Sequence, residues 1–88
     1  MRLLIIEDDY QAAVYLAKGL KESGFAVDHA VDGNEGLYMA MSEPYDILIV
    51  DRMLPRRDGL SVIAALRAQG TMTPVLILSA LGEIDDRV

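Results

Sequence analysis

The feature that most constrains this chain is Ile47-Leu48-Ile49-Val50, an unbroken apolar run that ends on Asp51 and turns through Pro55 and Asp58-Gly59. A run with no polar alternation reads as a strand covered on both faces, as parallel strands in α/β proteins are. Leu3-Leu4-Ile5-Ile6 repeats the pattern and ends in Glu7-Asp8-Asp9. Val75-Leu76-Ile77-Leu78 repeats it again behind Pro74, with Ser79-Ala80 at its exit. Phe25-Ala26-Val27-Asp28-His29-Ala30 alternates enough to be a strand with one poorer face, which predicts a sheet edge.

Helical spacing fills the intervals. From Gln11 to Ser23, Ala13, Leu16, Ala17 and Leu20 fall on one stripe, with Lys18, Lys21 and Glu22 left for solvent and Gly24 as the stop. Asp32-Gly33-Asn34 reads as a turn into a short helix from about Glu35 to Ser42, with Leu37, Ala40 and Met41 facing inward and Met39 and Met41 as core filler. Asp58 can cap a helix beginning near Gly59, with Leu60, Ile63, Ala64 and Leu66 apolar and Gly70 closing it. Glu83 to Val88 reads as the start of another helix. Alternation of this kind predicts right-handed crossovers and a doubly wound parallel α/β sheet with helices on both faces.

Composition narrows the function classes. Eighty-eight residues at 52% hydrophobic content suit one small domain with little surplus core. A net charge of -6, with the basic residues scattered, disfavours a direct nucleic-acid surface, because phosphate neutralisation needs clustered Lys and Arg. The chain has no cysteine, hence no disulfide and no thiolate metal site. Its apolar runs fall far short of the roughly 18 residues of a membrane span, and Arg2 is followed by too few apolar residues for a signal peptide. The expected location is cytoplasmic, without a membrane partner.

The rim where the strands leave the sheet carries the chemistry. Ligands of open α/β sheets bind at this carboxyl end, so Asp51 is either a ligand-site acid or a cap for the turn that follows it. Glu7, Asp8 and the hydroxyl of Ser79 join it there if the first and third strands are neighbours. Two carboxylates ~4 Å apart repel by about 4 kcal/mol at an effective dielectric of 20, so such a cluster takes up protons or recruits a cation. An all-oxygen donor set suits Mg2+. With a metal beside it, Asp51 could attack a phosphoryl group, and Ser79 could hydrogen-bond one of its oxygens. Met53, two positions on, offers only its backbone carbonyl where a dedicated hydrolase would want an acid or base. His29, the only histidine, reads as structural or solvated.

The residues now match a family. Leu3 to Asp9, Asp46 to Pro55 with Asp58-Gly59, and Thr73 to Ala80 resemble the receiver domain of two-component response regulators, of the OmpR/PhoB-like branch. Tyr15 to Leu20, Gly24 to Asp28 and Ala80 to Ile84 are similar to the copper and heavy-metal responsive regulators within it. The resemblance implies that Asp51 accepts phosphate from a sensor histidine kinase. It implies that Asp8, Asp51 and the Met53 carbonyl bind Mg2+, that Glu7 acts through a metal-bound water, and that Ser79 is the switch hydroxyl. Asp9, just outside the acidic pair, is left to cap the first helix.

The family's fold is flavodoxin-like (CheY-like), and this chain is expected to hold four of its strands in the order 2-1-3-4, with the fifth strand, its lysine and the fifth helix absent. Residues 1–88 would then be the N-terminal part of a receiver, acting on DNA only through a C-terminal winged-helix domain outside this chain. Val75 to Leu78 would lie on an open edge, which predicts homo-oligomers formed by strand-edge pairing or domain swapping. The expected activity is that of a phosphoacceptor signalling domain, impaired in switching without the fifth strand and its lysine and at most slowly phosphorylating and dephosphorylating itself, rather than an enzyme. The competing classes are an aspartyl-phosphate hydrolase and a self-associating module with an idle acidic pocket.

Overall fold

The computed structural model describes residues 1–78 and 84–87, for the last of which only the backbone course is considered. Its order is β1 (Arg2–Ile6), α1 (Tyr10–Glu22), β2 (Ala26–Ala30), α2 (Gly33–Ser42), β3 (Ile47–Asp51), α3 (Gly59–Ala68), β4 (Val75–Leu78) and β5 (Ile84–Arg87). β1 to β4 are parallel, as the alternation of elements predicts, and lie in the order β2-β1-β3-β4 that the resemblance implies. The fold is the flavodoxin-like, doubly wound α/β class.

Strand alternation sorts the core into two layers. Leu4, Ile6, Leu48, Val50, Val75 and Ile77 face α2 and α3, where Ala40, Val62 and Leu66 meet them. Ile5 and Ile49 face the other way, against Ala13 of α1, with Leu16, Ala17 and Leu20 packed around them. Among the described residues no helix is long and apolar enough to cross a membrane.

Each helix starts on an aspartate whose side chain accepts a backbone N–H: Asp9 from Ala12 at 3.2 Å, Asp32 from Glu35 at 2.8 Å and Asp58 from Ser61 at 2.8 Å. The cap at Asp32 corrects the expected turn, because it lets α2 begin at Gly33 rather than near Glu35. Met39 packs against the core while Met41 is exposed, the reverse of the expectation for Met41. In α3 the buried residues are Gly59, Val62 and Leu66, and Leu60 is exposed.

The largest departure lies at β5. A helix start was expected from Glu83, whereas Ile84–Arg87 is a strand, antiparallel to β4, with Leu78 opposite Ile84 and Val75 opposite Arg87. The edge of β4 expected to be open is therefore paired. The physical reason is that an edge strand presents a row of unpaired N–H and C=O groups, which a neighbouring extended segment satisfies more fully than a single helical turn can.

The end of the sheet away from the rim is tied by charge. Arg2 donates to Asp28 at 3.2 Å and to Glu43 at 3.3 Å, and its guanidinium lies 5.1 Å over the Tyr45 ring. The Tyr45 hydroxyl donates to the same Asp28 oxygen at 2.7 Å. Burial, then that hydrogen bond, pushes the Tyr45 phenol up to about 12.

Two helical glycines separate packing from propensity. A Cβ on Gly36 would meet side-chain atoms of Ile6 at 2.5 Å, whereas one on Gly19 would meet nothing within 4 Å. Gly19→Ala should therefore raise the unfolding free energy by about 0.5–1 kcal/mol. Gly36→Ala should lower it by about 1–3 kcal/mol despite the same gain in propensity. Urea unfolding of both variants checks the opposite signs.

Candidate functional site

The rim site is assembled by register. β1 and β3 pair Ile6 with Val50 on their last rung, so the next residues out, Glu7 and Asp51, emerge side by side. Arg52 extends β3 by donating its N–H to the Leu78 carbonyl at 3.1 Å. Carboxylate oxygens of Glu7, Asp8 and Asp51 lie within 4.8 Å of one another. Glu7 and Asp51 are half-buried and Asp8 is exposed.

This crowding shows in the protonation of Glu7. Burial, then the Asp51 carboxylate within hydrogen-bonding reach and the charges of Asp51, Asp8 and Asp9, pushes its carboxyl up to about 8. Its Oε2 is buried without a hydrogen-bond partner. An orphaned oxygen among converging acids, with no nitrogen or sulfur donor in the set, fits a hard divalent cation such as Mg2+.

Asp51 is held from the following loop. The Met53 N–H donates to Asp51 Oδ1 at 3.1 Å, which brings Met53 to the site by its backbone while its side chain stays exposed. Gly59 fixes the exit of that loop: its N–H donates to the Arg52 carbonyl at 3.0 Å, and a Cβ there would lie 2.5 Å from the Asp51 carbonyl. Ser79, the expected switch hydroxyl, lies outside the described residues.

Two sets of contacts were not visible from sequence. Arg56 takes a left-handed backbone, φ 70°, and its Nε lies 3.3 Å from Oδ2 of Asp32, the cap of α2. Arg57 donates to Asn34 at 3.3 Å and to Ser61 at 3.3 Å. The loop bearing Met53 is thus latched to the first turn of α2, by ion pairing that offsets part of the cost of a non-glycine at positive φ. On the other side, His29 Nε2 lies 2.7 Å from the Glu7 carbonyl oxygen. No periodicity signals either contact, because both depend on residues brought together across a crossover.

Comparison with known proteins agrees with this geometry. The family profile described as "Response regulator receiver domain" matches residues 3–88. The chain is 50% identical over its whole length to "Probable transcriptional regulatory protein SilR" of Salmonella typhimurium and 46% identical to "Transcriptional regulatory protein CusR" of Escherichia coli (strain K12), covering 39% of each. It therefore spans about two fifths of the length of these curated relatives. Among solved structures, it is similar to the receiver domain of the Francisella response regulator 1452, with TM-score 0.88 and 36% identity over 93% of this chain and 68% of that one. It is also similar to TrrA from Thermotoga maritima, solved in complex with Mg2+ and BeF, with TM-score 0.85 and 30% identity over 90% of this chain and 69% of that one.

The raised Glu7 carboxyl makes stability depend on pH in a definite direction. A carboxyl at about 8 in the folded chain and near 4.5 when unfolded binds the proton more tightly in the folded state. Its contribution is complete below pH 4.5 and is lost as pH rises towards 8. The urea midpoint of the metal-free chain should therefore fall across this window, Glu7→Gln should flatten the fall, and added Mg2+ should reverse it. An unchanged slope in the variant would remove Glu7 as the cause.

Proposed function

This chain belongs to the response regulator receiver domain family, and on that premise we propose that it is a phosphoacceptor module in which Asp51 takes a phosphoryl group from the phosphohistidine of a sensor kinase. The observation that carries the reading is the convergence of Glu7, Asp8 and Asp51 at one strand rim, with Asp51 oriented from its own loop. Asp8, Asp51 and the Met53 carbonyl would hold Mg2+ directly and Glu7 through a water. The bound metal would offset charge gathering on the phosphoryl oxygens.

The chain's own residues account for the rest. The Met53 N–H fixes Asp51 Oδ1, which orients the carboxylate and leaves its second oxygen to attack phosphorus. As the new O–P bond forms, the P–N bond of the donor breaks and its electron pair returns to the imidazole. Asp51 attacks as the carboxylate. Ser79 would donate its hydroxyl to a phosphoryl oxygen once the product forms. Met53 brings no side-chain acid or base to activate water, which supports a site that retains its phosphate rather than a dedicated hydrolase.

The wider reading follows the relatives, whose names describe transcriptional regulators. In the full-length protein, phosphorylation would act in the cytoplasm on transcription through a DNA-binding domain outside this chain. Assignment to the metal-responsive branch rests on the sequences of α1 and β2. Self-association of this chain has lost its main support, since β5 occupies the edge of β4 on which it was expected.

Incubation with Mg2+ and a small phosphodonor, read by intact mass, tests the central claim. The wild-type chain should gain one phosphoryl group, while Asp51→Ala, or wild type with chelator, should gain none. Metal binding without any mass change would support the idle-pocket alternative, and modification of Asp51→Ala would place the phosphate elsewhere.

A further inference from the structure

We infer that His29 is a positioning residue of the acidic site, holding the backbone of Glu7 so that its carboxylate faces Asp8 and Asp51. The inference rests on the metal-binding reading above and adds to it a residue from the edge strand.

The last rung of the β1–β2 ladder pairs Ile6 with Ala30. One step further, the Glu7 N–H still donates to the Ala30 carbonyl at 3.0 Å, but β2 then leaves for the cap of α2 at Asp32. A continuing ladder would next supply a donor to the Glu7 carbonyl. Instead His29 reaches it from within β2, with Nε2 at 2.7 Å. A carbonyl oxygen can only accept, so Nε2 carries the hydrogen, and this contact fixes the tautomer of the ring.

The placement follows from the sheet. His29 pairs with Ile5, whose side chain packs on the α1 side, and the imidazole meets the ring of Tyr10, the first residue of α1. The two ring centroids are 6.1 Å apart and the planes are tilted by 45°. The imidazole is thereby held between an aromatic ring and a backbone carbonyl.

Glu7 needs this support because its side chain has little of its own. No donor reaches the buried Oε2, and the acids nearby repel the charged form. The position of the carboxylate is therefore inherited from its backbone, which is pinned at the N–H by Ala30 and at the C=O by His29. Groups that orient metal ligands in this way typically change metal affinity by about 10- to 100-fold when removed.

Binding of Mn2+ in place of Mg2+, followed by loss of the free-ion electron paramagnetic resonance signal, tests the inference on the 88-residue chain itself. His29→Phe keeps the ring packing on Tyr10 and removes the donor. It should weaken Mn2+ binding by about tenfold. His29→Gln keeps an N–H near the same place and should bind as the wild type does, while the urea midpoints of the two variants match. His29→Met, a second donor-free side chain, gives the same comparison should the phenylalanine not fold. Wild-type affinity in the donor-free variants, or equal losses in the phenylalanine and glutamine variants, would overturn the role of His29 while leaving the metal site intact. Absence of Mn2+ binding by the wild-type chain would overturn the metal reading and this inference together.

Discussion

Everything at the rim depends on the parallel register of β1 and β3, because that ladder brings like charges together and must hold them against their repulsion. The opposing magnitudes explain why it can. Two carboxylates at this spacing repel by about 4 kcal/mol at an intermediate effective dielectric. Leu4, Ile5, Ile6, Leu48 and Val50 are each essentially inaccessible to water, and each contributes roughly 1.5–3 kcal/mol by burial. The core beneath the site therefore outweighs the repulsion of one such pair by about two- to fourfold. Asp51 does cap its own turn, its Oδ1 accepting from the Met53 N–H, and what sets it apart from the helix cap Asp58 is its convergence with Glu7 and Asp8.

The strands were legible because uninterrupted apolar runs have few alternative uses in a chain of this length, while their order was an expectation from the family resemblance. The three acids were legible for the same reason, since Glu7 and Asp51 directly follow such runs and Asp8 comes next after Glu7. Helix boundaries were read less well. Asp32 looked like a turn residue, and only the bond from the Glu35 N–H reveals it as a cap that starts α2 early; Met39 packs on the core as expected, while Met41 is exposed. At β5 the local pattern suggested a helix, but local preference yielded to the unpaired edge of β4.

What sequence could not supply was the second layer of the site. Arg56 is one of the scattered basic residues, and its left-handed backbone and its pairing with Asp32 exist only after α2 and the β3–α3 loop have been brought together. His29 looked like an ordinary strand histidine. Its contact with Glu7 depends on the twist of β2 past β1 and on Tyr10 arriving over the ring. Side chains that act directly on a ligand announce themselves by type and position, while those that act through a neighbour's backbone do so only in three dimensions.

The antiparallel strand at the margin of the sheet has a kinetic consequence. β1 meets β3 only after the chain has closed a long loop through α1, β2 and α2, and that closure sets the slow scale of folding for a parallel sheet. β5 instead pairs with the strand immediately before it in sequence, Ile84 lying against Leu78. This pairing is local, with little loop entropy to overcome. The β5 segment can thus zip onto β4 early, shielding a parallel-sheet edge during the interval in which the central ladder is still being assembled.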